Sequence, residues 1–244
     1  MKPAAETARR IEQAAAALAQ ALGERVVCIA VYGSAAGEEF SPAHSDVNLL
    51  LVLREVSFPD LRLIGTILAR EASGDLPLAT PLVVTQAFLR DAADSYPIEL
   101  DDLRERHRVL HGEDLLTGVR VAPARLREQA ERESRGKLLR LRALAIHRPP
   151  DAELQHALAS LESALVVIER ALLRAASGER PGRGAALFEA IERHSGVRLR
   201  ALPRLEAMRD GREAWPGGAD LDDLLAVVLR EVEALVRLVD RHGG

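Results

Sequence analysis

Hydrophobic residues in the first half of the chain alternate between helical spacing and short continuous runs. Residues 4–22 carry apolar side chains three and four positions apart, which predicts an amphipathic helix that Gly23 is placed to end. The segments 26–32 and 47–53 are uninterrupted apolar runs, which predict β-strands buried on both faces. The segment between them is too short for a crossover helix, so we expect a tight turn, a short helix and a loop there.

The same alternation continues to the middle of the chain. We predict a helix that opens at Pro59 and Asp60 and closes at Ser73 and Gly74, a strand over 82–85, a short helix over 87–93, an ambiguous segment over 98–106 and an edge strand over 108–112. Strands that alternate with helices are typical of an α/β unit. We therefore expect an α/β N-terminal domain, with a small mixed sheet and flanking helices, over residues 1–120.

After Pro123 the chain has helical periodicity without any further strand-like run. Its clearest stripe alternates steps of four and three residues, at Leu154, Leu158, Leu161, Leu165, Ile168 and Leu172. Shorter stripes begin at Leu138, Leu187, Leu199 and Leu221. Such stripes pack against one another, which predicts an all-α C-terminal bundle of about five helices over residues 121–244. The leucine seam would also suit a homodimer.

Composition narrows the class of protein. Hydrophobic residues make up 48% of the chain and charged residues 29%, a balance typical of a globular protein and not of a disordered one. No apolar stretch approaches the roughly 20 residues that a membrane-spanning helix needs, and no signal-peptide pattern is present, so we expect a cytoplasmic protein. The net charge of −4 disfavours a general nucleic-acid binder. Cys28 is the single cysteine, which excludes an internal disulfide.

Candidate chemistry lies where the first apolar run ends and the second begins. Gly33 and Ser34 directly follow the first run, where a glycine permits a sharp turn and backbone N–H groups can hold a phosphate. Asp46 and Asn48 lie at the start of the second run, and a spacing of two residues on a strand places both side chains on one face. We expect all four residues to line one shared groove.

The sequence VYGSAAGEEFSPAHSDVNLLLVL resembles the signature of the nucleotidyltransferase superfamily, in which a Gly-Ser pair precedes Asp-x-Asp in an apolar strand. Antibiotic nucleotidyltransferases of the kanamycin and streptomycin type share this signature, as do the minimal nucleotidyltransferases of bacterial toxin-antitoxin pairs. The resemblance implies transfer of a nucleoside monophosphate from ATP or another nucleoside triphosphate to a small-molecule or protein acceptor. It also implies two Mg²⁺ ions held by three carboxylates.

Carried over to this chain, the resemblance implies that Gly33 and Ser34 hold the triphosphate. Asp46 would be the first magnesium ligand and a catalytic residue. Asn48 stands where the family has its second carboxylate, and it is the other candidate metal ligand. Because a neutral amide attracts Mg²⁺ less strongly than a carboxylate does, we expect ordinary two-metal chemistry to be impaired.

The family's third carboxylate belongs on the next strand, but residues 79–84 include no acidic side chain. Glu99, Asp101 and Asp102 lie further along the chain, and of these we predict Glu99 as the catalytic substitute. With this incomplete set, three interpretations stay open. The chain is a nucleotidyltransferase of full or reduced activity, a non-catalytic nucleotide-binding or regulatory module of the same fold, or a component of a toxin-antitoxin pair.

Simpler structural roles compete with several of these assignments. Glu99 also fits a solvated carboxylate at the start of an acidic run. His107 and His111 have the spacing of two zinc ligands on a helix, but the glutamate of that motif is missing, so we do not expect zinc. The basic residues within 104–108 and 132–142 fit solvated faces with ion pairs, or an anion-binding wall.

Overall fold

The computed structural model describes residues 5–37, 47–71, 78–182 and 184–241. The chain divides into two units, Met1–Val121 and Ala122–Gly244. The first is built on a mixed sheet with flanking helices, and the second contains helices and no strand among its described residues. This is the fold class that the sequence predicted. None of the described helices is long and apolar enough to cross a membrane.

The N-terminal unit follows the predicted order of elements. Its described helices are α1 (Ala5–Leu22), α2 (Phe58–Glu71), α3 (Gln86–Asp91) and α4 (Pro97–Glu105), and its strands are β1 (Val26–Tyr32), β2 (Asn48–Leu53), β3 (Leu82–Thr85) and β4 (His107–Gly112). A short 3-10 helix, Gly33–Ala36, follows β1 directly. Val47, which the prediction included in the second strand, forms an isolated bridge to Leu78 just before β2.

The four strands form one mixed sheet in the order β3-β2-β1-β4. β1 is antiparallel to both of its neighbours, whereas β2 and β3 run parallel. β4 therefore lies at one edge of this sheet, as its sequence predicted. The central pair β1 and β2 is covered on both faces, which explains why both strands are continuous apolar runs and do not alternate with polar residues.

Each face of the sheet has its own apolar core. Leu49 and Leu51 of β2 point to the face that α1 and α2 cover, where they join Ile11 of α1 in one buried cluster. Leu50 points to the opposite face and joins a second cluster with Leu100 of α4. Burying each leucine side chain stabilises the fold by roughly 1.5–3 kcal/mol, so these alternating contacts fix which way β2 faces.

The segment that was ambiguous in sequence is helix α4. Pro97 lies in its first turn, where the fixed backbone angle of proline favours a helix and the missing N–H costs no hydrogen bond. Leu100 and Leu103 are both buried against the sheet. The acidic and basic residues between and after these leucines obscure the apolar periodicity. The pattern alone therefore did not predict whether the segment forms a helix.

The C-terminal unit contains, within its described residues, the helices α5 (Pro123–His147), α6 (Asp151–Ser177), α7 (Ala185–Ser195), α8 (Ala201–Arg209) and α9 (Gly218–Arg241). The predicted leucine seam lies on α6, and Leu154, Leu158, Leu161 and Leu165 are all buried in one core with leucines of the other helices. Gly178 adopts a φ of 74° and ends α6 in the left-handed conformation that favours glycine.

Buried carboxylates take part in the packing of this helical unit. Glu231 of α9 accepts hydrogen bonds from the backbone N–H groups of Arg200, Ala201 and Leu202, at 2.5, 2.8 and 3.2 Å. These N–H groups begin α8 and have no partner within their own helix, so Glu231 caps α8 from a neighbouring helix. Glu162 of α6 forms an ion pair with Arg209 of α8.

Glu169 of α6 is the exception among the buried carboxylates. It is 6% exposed and lies on the helix face that carries Leu165, Val166 and Leu173, all of them core residues. Within the described residues its carboxylate forms no hydrogen bond or ion pair. Burial among apolar side chains disfavours the charged form and raises the pKa of Glu169 to about 7.

This raised pKa makes the stability of the chain depend on pH. The unfolded chain ionises Glu169 near the ordinary value of 4.5, whereas the folded chain holds the proton until about pH 7. Stability therefore falls as the pH rises between these two values and stays low above them. We expect Glu169→Gln, which cannot ionise, to raise the free energy of unfolding by roughly 2–3 kcal/mol at pH 8 and by much less at pH 5.

Urea denaturation of the wild type and the variant at pH 5, 6, 7 and 8 measures this difference. The matched control is Glu189→Gln, because Glu189 is an exposed glutamate on α7. We expect the control to change stability by a small amount that does not vary with pH. An equal effect of Glu169→Gln at all four pH values would contradict the assignment.

Candidate functional site

The chain makes a sharp turn where β1 ends. Gly33 follows Tyr32 with a φ of 73°, in the left-handed region that glycine adopts without strain, and opens the 3-10 helix. The N–H of Gly33 donates a hydrogen bond of 2.9 Å to the carbonyl oxygen of Arg106, in the connection between α4 and β4. The turn is thus attached both to β1 and to the connection that leads into β4, the strand paired with β1.

The structure brings Asn48 next to this turn. Asn48 opens β2 and lies opposite Tyr32 in the antiparallel register. A Cβ atom placed on Gly33 would lie 3.7 Å from Nδ2 of Asn48, so the amide side chain packs beside the turn. Gly33 and Asn48, which are 15 positions apart in sequence, therefore meet at one end of the sheet.

The roles of two other predicted site residues, Ser34 and Asp46, stay predictions. Ser34 belongs to the same 3-10 helix as Gly33, and its contact with a triphosphate stays a prediction. Asp46 lies outside the described residues, so its role as a magnesium ligand and catalytic residue stays a prediction as well.

An acidic residue that the sequence did not single out, Asp102 of α4, lies near the same end of the sheet. Burial, together with the negative charge of Asp102, raises the pKa of Tyr32 above its ordinary value. Arg106 binds both carboxylate oxygens of Asp102 at 3.3 Å and also supplies the carbonyl oxygen that holds Gly33. Arg106 thus connects Asp102 to the turn.

Glu99, the predicted catalytic substitute, is an exposed residue in the first turn of α4. It lies one helical turn before Asp102 on the same helix. No electrostatic effect of Glu99 on Tyr32 accompanies that of Asp102. The catalytic role of Glu99 stays a prediction, and Asp102 is the carboxylate of α4 whose charge acts at the end of β1.

The described residues do not fit a two-magnesium clamp. Mg²⁺ needs hard oxygen ligands and is usually bound through carboxylates. Asn48 offers a neutral amide oxygen, and β3 presents only Leu82, Val83, Val84 and Thr85 beside β2. Within the described part of the chain, no three His, Cys, Asp or Glu side chains come together as a metal site.

The two histidines with zinc-like spacing both lie in β4, where residues four apart do not share the geometry of a helix face. His107 is already engaged, with Nδ1 3.0 Å from the carbonyl oxygen of Arg104 and Nε2 3.1 Å from a carboxylate oxygen of Asp114. That these histidines bind no zinc stays an expectation.

Six of the basic residues within 104–108 and 132–142 form ion pairs inside their own units. The pairs are Arg104 with Asp101 and Glu105, Arg106 with Asp102, Arg108 with Glu12, Arg135 with Glu131, Lys137 with Glu133, and Arg142 with Glu233. These pairs favour the interpretation of solvated, ion-paired faces over that of a general anion-binding wall.

Comparison with known proteins identifies the fold. No protein-family model matches the chain, and no curated protein matches it either. Among solved structures, the chain is similar to the crystal structure of a spectinomycin adenyltransferase from Enterococcus faecialis with ATP and spectinomycin, with a TM-score of 0.59 and 10% sequence identity. The similarity covers 96% of this chain and 99% of that chain. The chain therefore has a nucleotidyltransferase-like fold with a helical C-terminal region.

The backbone of Gly33 can be tested without any ligand. An alanine at this position must adopt the left-handed conformation, which costs about 1–2 kcal/mol, while its Cβ would meet only an ordinary contact at 3.7 Å. We expect Gly33→Ala to lower the free energy of unfolding by about that amount. The matched control is Gly65→Ala, because Gly65 lies within α2 with no neighbouring atom within 4 Å of an added Cβ.

We expect the control to act in the opposite direction and to stabilise the chain by roughly 0.5–1 kcal/mol, since alanine favours a helix more than glycine does. Chemical denaturation of both variants measures the two effects. If Gly33→Ala were as stable as the wild type, the turn after β1 would not require the conformation described above.

Proposed function

We propose that this chain binds a nucleoside triphosphate at the Gly33 turn and transfers a nucleoside monophosphate to an acceptor. The observation that carries the proposal is the contact between the Gly33 turn and the side chain of Asn48, at the end of adjacent strands of a nucleotidyltransferase-like sheet. The solved structure with a similar fold contains ATP, which supports a nucleotide ligand for this fold.

In this proposal the turn and the strand have different tasks. Gly33 and Ser34 hold the triphosphate, because a turn after a strand brings backbone N–H groups and a hydroxyl close to phosphate oxygens. The N–H of Gly33 already donates a hydrogen bond to Arg106 and is not available to a phosphate. Gly33 would instead contribute to binding because it has no side chain, which leaves space beside the turn. Asn48 lies beside this position and can donate or accept a hydrogen bond through its amide.

We propose a small molecule as the acceptor. The similar solved structure contains spectinomycin, a small molecule, over nearly the same length of chain. A nucleic-acid acceptor is disfavoured by the net charge of −4 and by the ion pairs that neutralise most of the basic residues within 104–108 and 132–142. The chain would act in the cytoplasm.

A second function, nucleotide binding without transfer, is favoured by a specific observation. The described residues at the end of the sheet offer the amide of Asn48 and an apolar β3 where two-metal chemistry needs carboxylates. A site of this composition can bind a triphosphate through hydrogen bonds while failing to activate an acceptor hydroxyl. Such a protein would be a nucleotide-responsive module.

Calorimetric titration of the full chain with ATP, in Mg²⁺ and in EDTA, separates these functions. Binding that requires Mg²⁺ supports the transferase, and equal binding in both conditions supports the module. Release of pyrophosphate from ATP, with spectinomycin as the probe acceptor, then measures transfer directly. Absence of ATP binding in both conditions would reject both proposals.

A substitution at Asn48 tests whether this position faces the nucleotide. We expect Asn48→Asp to tighten Mg²⁺-dependent ATP binding by about tenfold, because a carboxylate attracts the metal more strongly than an amide does. The matched control is Gln86→Glu, which adds the same charge beyond the opposite end of the β2 and β3 pair. Equal ATP affinity in the wild type and Asn48→Asp would place Asn48 outside the site.

A further inference from the structure

A pocket lies wholly within the C-terminal unit, between α8, α9 and the loop that joins them. Its volume is about 560 Å³, within the range of small-molecule sites. The residues that line it are Arg200, Ala201, Arg204, Pro216, Asp220, Asp223, Leu224 and Val227. Ala201 and Leu224 are buried and form the apolar floor, whereas the charged residues are exposed around it.

Hydrogen bonds to the backbone hold the walls of this pocket in place. The first turn of α8, with Arg200 and Ala201, is fixed by the buried carboxylate of Glu231. The carbonyl oxygen of Pro216 accepts a hydrogen bond of 2.9 Å from the side chain of Gln155 on α6. The pocket is therefore formed before any ligand arrives, which lowers the entropy cost of binding.

Charged residues of opposite sign line the pocket, with arginines at the start of α8 and aspartates in the first turns of α9. Arg204 on the α8 wall is neutralised by Glu213, at 2.6 and 3.0 Å. Arg200 on the same wall has no side-chain ion pair among the described residues, and neither do Asp220 and Asp223 on the α9 wall. The unpaired charges are one guanidinium on one side and two carboxylates, one helical turn apart, on the other.

We propose that this pocket binds a small zwitterion with an apolar body. The ligand's amine lies between Asp220 and Asp223, its carboxylate meets Arg200, and its carbon chain covers Ala201 and Leu224. A ligand with only one charge would leave one wall unneutralised, so both charges together determine the specificity. This site is independent of the nucleotide site proposed above and does not rest on it.

The full chain titrated with 6-aminohexanoate, followed by calorimetry, tests the proposal. Hexylamine, hexanoate and 1-hexanol are the matched probes, each with the same chain and with one or both charges missing. We expect 6-aminohexanoate to bind at least about tenfold more tightly than any of the three, because each charge contributes a charge-assisted hydrogen bond. Equal affinity for hexylamine, or no binding of the zwitterion, would overturn the proposal.

Substitutions locate the binding within the chain. We expect Asp220→Asn combined with Asp223→Asn, and separately Arg200→Gln, to weaken the binding of 6-aminohexanoate by about fivefold or more. The matched controls are Asp222→Asn on the same helix and Arg198→Gln, neither of which lines the pocket. All of these residues are exposed, so the variants should fold. Equal losses in the pocket variants and the controls would reject this site.

Discussion

The antiparallel register between β1 and β2 is the constraint on which the N-terminal unit depends. It sets Tyr32 opposite Asn48 and so brings the turn at Gly33 against the start of the second strand. The same register decides which leucines of β2 face α1 and which face α4. A slip by one residue would exchange the two faces and turn Asn48 away from its present side. The packing of the two cores therefore holds the candidate site in its geometry, although no core residue belongs to that site.

The apolar runs in the sequence predicted the strands of this sheet well. The runs over 26–32 and 82–85 form strands at those residues, because a continuous apolar segment between turn residues has few alternatives to a buried strand. The sequence did not predict helix α4, since Ile98, Leu100 and Leu103 carry its apolar signal among many charged residues. For the same reason Glu99 was preferred to Asp102. The effect of the Asp102 charge on Tyr32 depends on how α4 packs against the sheet. The spacing of acidic residues along the chain does not predict that packing. Ser34, Asp46 and Glu99 stay predictions for the site.

Charged residues have three different roles in this arginine-rich chain. On the surface, arginines pair with nearby acids and contribute little stability each. In the helical unit, the carboxylate of Glu231 accepts hydrogen bonds from three backbone N–H groups at the start of α8. These hydrogen bonds offset the free-energy cost of burying its charge. Glu169 has no such compensation among the described residues and instead keeps its proton to near-neutral pH. The protein thus tolerates one carboxylate in its core by leaving it uncharged, and another by surrounding it with donors.

The composition of β4 affects whether copies of this protein can associate through the edge of the sheet. An edge strand offers unpaired backbone groups to any passing strand and can seed growth into a continuous intermolecular sheet. β4 carries His107, Arg108 and His111, and its pairing with β1 is interrupted by an irregular register between Ile29 and Ala30. Bulky polar side chains and a local irregularity both oppose strand addition. The edge that completes this sheet thereby also protects the protein against aggregation through it.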